Sequence, residues 1–142
     1  MRIRDILQVK GDDVATVSPE ATVRELLALL AERNIGAVVV TGPDGAIAGI
    51  ASERDVVRHL HPRGASLLDR PVSSIMTSEV RTCALSDNVD GLRKIMTEHR
   101  IRHLPVVESG RLVGIVSIGD VVKSTIDLLE TEREQLVGYI QS

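Results

Sequence analysis

The sequence has no Trp and no Phe, and Tyr139 is the single tyrosine among 142 residues. Platforms that stack the bases of single-stranded nucleic acid need aromatic rings, so that class is set aside. Positive charge is not in excess either. Seventeen Lys and Arg stand against 20 Asp and Glu, a net charge of -3, which leaves no basic footprint for duplex phosphates. No apolar run approaches the ~20 residues that cross a bilayer, and residues 1–10 lack the apolar stretch of a secretory signal. A lone cysteine, Cys83, has no internal disulfide partner. Together these absences lead to the expectation of a cytoplasmic protein with neither a membrane nor a nucleic-acid partner. Residues 80–85 alternate apolar and polar, so Cys83 reads as a buried strand position rather than a reactive thiol. What remains is 43% apolar and 26% charged residues. A chain of this length makes one domain or two small ones and buries about 70% of its unfolded surface, here around an aliphatic core.

The chain is written twice. A shift of 66 residues aligns Val14, Thr16, Val23, Leu26, Glu32, Ile35 and Val40 with identical residues at 80, 82, 89, 92, 98, 101 and 106. Dropping one residue from the turn at 42–45 continues the match. Gly45, Gly49, Ile50, Ser52, Asp55, Val56 and Val57 then meet their identical partners at 110, 114, 115, 117, 120, 121 and 122. Fourteen identities in order, with one turn-sized gap, describe a duplicated unit. In each copy a short strand (15–17, 81–83) precedes a helix (23–33, 89–99), with Thr22 and Glu25 placed as a capping box and Asn88 as the equivalent N-cap. Apolar stripes follow on both helices: Leu26, Leu27, Leu29 and Leu30 on the first, Leu92, Ile95 and Met96 on the second. A hairpin comes next (37–41 with 46–51, 103–107 with 111–116), and a second helix begins near Ser52 or Ser117. The expected fold is α/β (α+β): two β-α-β-β-α repeats paired about a pseudo-twofold axis. Repeat one with its leader occupies 1–62, repeat two with its linker 63–127, and a helical tail 128–142. Residues 61–66, with Pro62 and Gly64, read as a surface loop. The tail reads as an added core helix or a dimer contact.

This pattern resembles a tandem pair of cystathionine-beta-synthase (CBS) domains, the Bateman module, in its stand-alone bacterial form. Gly49-Ile-Ala-Ser52-x-x-Asp55, Gly114-Ile-Val-Ser117-x-x-Asp120 and His103-Leu-Pro-Val-Val107 carry the resemblance over nearly the whole chain. It implies a non-catalytic regulatory module that binds an adenosine-containing ligand between the repeats and forms a homodimer. AMP is expected first, then NAD, ADP, ATP or S-adenosylmethionine. The alternative is a ligand-independent interaction or dimerisation module. No nucleophile, base and orienting group occur together, and the histidine spacings give no metal site and no catalytic cofactor.

Each Ser-x-x-Asp has two readings that do not exclude each other. Serine at an N-cap and an acid three residues on make a capping box, and the same helix start is an anion site. The resemblance implies that Asp120 and Asp55 hold ribose, with Ser117 and Ser52 toward ribose or phosphate. In the family, basic residues at the start of the first hairpin strand meet phosphate. Copy two has Arg102 and His103 there, where copy one has Gly36 and Ala37. Arginine offers a fixed planar fork to phosphate. The better-equipped cleft is therefore expected to join Ile115, Ser117, Asp120, Arg102 and His103 to a wall of Thr16, Ala21, Ile35 and Gly36, with adenine between Ile35 and Ile115. A weaker cleft is expected from Ile50, Ser52, Arg54, Asp55, Thr82 and Ile101.

Overall fold

The computed structural model describes residues 1–141. Helix α1 (Ile3–Lys10) opens the chain, followed by β1 (Thr16–Val17), α2 (Val23–Arg33), β2 (Ala37–Thr41), β3 (Ile47–Ser52) and α3 (Glu53–Arg63). Two 3-10 segments, Gly64–Asp69 and Val72–Ser74, lead to α4 (Val89–His99), β4 (His103–Glu108), β5 (Arg111–Ser117) and α5 (Ile118–Gln141). Strand β2 is central in the first sheet, parallel to β1 and antiparallel to β3, while β4 and β5 pair antiparallel. The repeat is thus present as expected, with both first helices at 23–33 and 89–99. Their stripes bury Leu26, Leu30, Leu92 and Met96, whereas Ile95 stays exposed.

Three local expectations are corrected. The strand expected at 81–83 shrinks to one parallel bridge between Cys83 and Val106. In copy one the Val39 amide donates to Ala15 O at 3.2 Å, but the residue aligned with Val39 is Pro105, which has no N–H to extend the ladder. The Thr22 hydroxyl accepts from the Glu25 amide at 3.1 Å without the return bond of a full capping box. The surface loop expected at 61–66 is instead the end of α3, which runs through Pro62 and stops where Gly64 takes φ 63°, and then a 3-10 turn. Cys83 is buried as expected. It donates to Pro105 O, and burial, then Asp87, push its thiol up to about 12.

The two aliphatic cores exchange leaders. Ile3, Ile6 and Leu7 of α1 are buried with Cys83, Val89, Leu92, Met96, Leu104 and Val116 of the second copy. Leu67, Val72 and Ile75, which precede the second copy, are buried with Val23, Leu26, Leu30, Val38 and Val40 of the first. Backbone bonds follow the same crossing. Ile3 and Arg4 amides donate to Asp87 O and Leu85 O at 3.0 Å, and the Val72 amide donates to Ala21 O at 2.7 Å. Each fully buried aliphatic side chain contributes about 1.5–3 kcal/mol, so neither core is complete without its crossed leader. This explains the paired glycines of the repeat. A Cβ at Gly49 would lie 2.7 Å from Thr77 O and Met76 Sδ, and one at Gly114 would lie 2.7 Å from Leu7 Cδ1. Glycine lets the leader rest on the hairpin.

Val121 is the buried residue of α5. Beyond it Leu129, Leu136, Tyr139 and Ile140 are exposed, so the tail is not an added core helix of this chain.

Candidate functional site

The strand-to-helix junctions fold alike in both copies. Ser52 is in extended conformation at the N-cap of α3. Its amide donates to Asp55 Oδ2 at 2.8 Å, its hydroxyl donates to the same oxygen at 3.0 Å, and Asp55 N donates back to Ser52 Oγ at 3.4 Å. At the start of α5 the Ser117 amide donates to Asp120 Oδ2 at 2.8 Å, and Asp120 N donates to Ser117 Oγ at 3.1 Å. Both pairs are therefore caps. The caps use Oδ2 of Asp55, while Oδ1 takes no bond among the described residues.

A cavity of about 350 Å³ opens beside Asp55, between the copies. Copy one supplies Gly36, Ile50, Ser52, Glu53, Arg54, Asp55 and Arg58; copy two supplies Arg81, His99, Arg100, Ile101, Arg102 and His103, and Thr77 and Glu79 close the base. Five arginines and two histidines thus face three carboxylates. Among the described residues none of these arginines is in an ion pair, the four ion pairs being Lys10–Asp120, Arg24–Asp69, Arg93–Asp90 and Lys94–Asp90. Five arginines against three carboxylates leave an excess of positive charge around one cavity, a cost that a bound anion lowers. Arg100 adds strain, since it is a non-glycine residue at φ 54° in the left-handed region. His103 lies beside Gly36 and Glu53. Burial first and Lys10 second hold its imidazole below the ordinary value, with Arg102 acting the same way and Asp120 and Glu53 opposing.

The Asp120 side is different. Lys10 Nζ is 2.6 Å from Asp120 Oδ2 and donates to Ile115 O at 2.7 Å. Burial pushes the Asp120 carboxyl up, but the bonds from Lys10 and from Ser117 outweigh it and leave it below the usual carboxylate range. A separate shallow depression is lined by Asp12, Asp13, Val14, Thr16, Leu112 and Val113, and none of Ile115, Ser117 or Asp120 lines it.

These placements differ from the two groups expected from the sequence. Ile50, Ser52, Arg54, Asp55 and Ile101 do come together, but Thr82 is outside the lining and exposed. Gly36, Arg102 and His103, expected with Asp120, line the Asp55 cavity instead. The start of β4 sits next to the start of β2, so side chains there reach the other cleft. Ala21 and Ile35 pack against the first core, and Thr16 faces the open depression. Sequence reasoning missed Arg58, Arg81, Arg100 and Lys10. The signal for two of them was available: Arg81 and Arg100 align with Ala15 and Asn34, the same contrast between copies that singled out Arg102.

The CBS domain model matches residues 3–62 and 72–127. A crystal structure of a CBS-domain protein from Agrobacterium tumefaciens is 47% identical, with a TM-score of 0.85 over 87% of this chain and 92% of that one. A CBS domain protein from Pyrobaculum aerophilum, solved in complex with AMP, is 32% identical, with a TM-score of 0.75 over 84% of this chain and 89% of its own. The CBS domain pair of protein MJ0100, solved with 5'-methylthioadenosine and S-adenosyl-L-methionine, is 25% identical, with a TM-score of 0.78 over 88% and 95%.

Proposed function

The chain belongs to the CBS-domain family, and from that membership we propose that it is a regulatory sensor of adenine nucleotides, a binding module and not an enzyme. Structural neighbours solved with AMP and with S-adenosyl-L-methionine support an adenosine-containing ligand. The observation that carries the reading is the cavity beside Asp55 with its five unpaired arginines. In this reading adenine lies between Ile50 and Ile101, the ribose hydroxyls bond the free oxygen of Asp55, and the phosphates extend toward the arginines. Such a ligand touches α3 of copy one and β4 of copy two, so it favours one arrangement of the pair. A partner that binds the two arrangements differently would then read nucleotide concentration. A cytoplasmic setting, where Cys83 stays reduced, suits that role.

Charge orders the candidate ligands. A single arginine and histidine would suit AMP, whereas five arginines favour a nucleotide with two or more phosphates, ADP, ATP or NAD. The sulfonium of S-adenosylmethionine is disfavoured by the same cluster. Calorimetric titration tests this. ATP or ADP is expected to bind more tightly than AMP and AMP more tightly than S-adenosylmethionine, with affinity falling as salt rises. Asp55→Ala should weaken each by at least about tenfold, ~1.4 kcal/mol. Absence of binding by all of these ligands would sink the sensor reading, and a preference for S-adenosylmethionine would sink the charge argument.

A dimerisation role has its own observation. Val57 and Leu60 of α3 and Val122, Ile126 and Leu129 of α5 are exposed, an apolar surface suited to a second copy.

A further inference from the structure

Lys10 has no role in the capping or packing of the repeats, yet its amine is held by two groups of the Asp120 cleft. Resting on the reading of these clefts as adenosine sites, we propose that Lys10 is a specificity-determining residue. It is a tethered internal cation that closes the Asp120 cleft and limits the chain to one bound nucleotide.

The comparison between copies carries this. Ile50 O accepts from the Thr77 amide at 2.9 Å, and among the described residues no cation is paired with Asp55. At the aligned positions Ile115 O accepts from Lys10 Nζ at 2.7 Å, and Asp120 Oδ2 is 2.6 Å from the same atom. The carboxylate that would bond a ribose and the strand carbonyl beside it are therefore both engaged by one ammonium group. The open cavity is lined by Ile50, Ser52 and Asp55, whereas their counterparts Ile115, Ser117 and Asp120 line neither it nor the shallow depression at Asp12 and Thr16. The cause is local. Leu7 rests on Gly114 as Met76 rests on Gly49, but α1 is an eight-residue helix that continues past Leu7 and delivers Lys10 before Gly11 ends it at φ 98°. The second leader has only a three-residue 3-10 turn, so Met76 packs over Gly49 and Thr77 pairs with Ile50.

Lys10→Met removes the ammonium group and keeps a side chain of similar length. Calorimetry with ATP and with ADP is expected to find one site per chain in the wild type and two in Lys10→Met, with the added site lost again in Lys10→Met/Asp120→Ala. Two sites in the wild type, or one in Lys10→Met, would overturn the inference. A second measurement needs no nucleotide. The chain has three lysines, Lys10, Lys94 and Lys123, and acetylation of the ligand-free protein followed by mass spectrometry should find Lys10 the slowest to react. Asp120→Asn should abolish that protection. If Lys10 reacts as fast as Lys123, the cleft is not closed by it, whatever binds elsewhere. If Lys10 is protected but neither protein binds nucleotide, the sensor reading fails, and with it the selector role of Lys10, while the lock itself stands.

Discussion

Arg100 and Asn34 hold aligned positions, and both end a helix in the left-handed region, at φ 54° and 52°. Asparagine tolerates this backbone, whereas for arginine it costs roughly 1–2 kcal/mol. Arg100→Asn is therefore expected to raise stability by about 0.5–1 kcal/mol while weakening nucleotide binding. Urea unfolding and calorimetry on one preparation check both halves. His103 sets a second prediction. Its imidazole is held below the ordinary 6.5, so as pH falls through that value the unfolded chain takes up the proton first. The stability that neutral His103 contributes is full above about pH 6.5 and is lost toward its lower folded value. Lys10 and Arg102 deepen this loss, and Asp120 and Glu53 limit it. Asp120, also held low, loses its contribution further into the acid range. The urea midpoint should fall between pH 7 and pH 5 in the wild type and fall less in His103→Gln. At this scale a comparison of aligned residues singled out Arg102 against Gly36 but assigned it to the Asp120 cleft, whereas it lines the Asp55 cavity. Lys10 was not legible, because a lysine in the last turn of a helix has an ordinary role at the carbonyl end.

Helices and strands were the most legible level, since hydrophobic period and turn chemistry act within a few residues. Both first helices, both hairpins and the serine caps of α3 and α5 follow from such local signals. The shortened strand at Cys83 was legible in principle from Pro105. The crossed leaders were not, because Ile3 and Val72 meet the opposite copies through contacts that no local pattern encodes. The crossing leads to a reciprocal prediction. Ile3→Ala removes a fully buried side chain from the second core and should cost about 2–5 kcal/mol. Amide exchange should quicken in α4, β4 and β5 before α2, β2 and β3. Ile75→Ala should reverse the order, because its side chain lies in the first core. Loss of protection in the copy adjacent in sequence would contradict the exchange of leaders.

The described residues form two cores, an open cleft between them and a helix that extends past both. Since Val121 is the buried residue of α5, removing 128–142 takes little from either core. Stability should change by less than about 0.5 kcal/mol and nucleotide affinity should be retained. If the tail carries assembly, analytical ultracentrifugation should find the full chain dimeric and the truncated chain monomeric. A dimer that survives would assign assembly to Val57, Val122 and Ile126. The exchanged leaders also bear on how the chain is made. A ribosome releases α1 before either repeat, but the seat for Ile3, Ile6 and Leu7 includes Val116 and Val121, more than 100 residues later. Although α1 is synthesised before the rest of the pair, it docks last, and its apolar face is unsatisfied until β5 and the start of α5 have emerged. The first core closes much sooner, once Val72 and Ile75 are out, so the nascent chain should pass through a half-folded state with the α1 face as its site of chaperone capture.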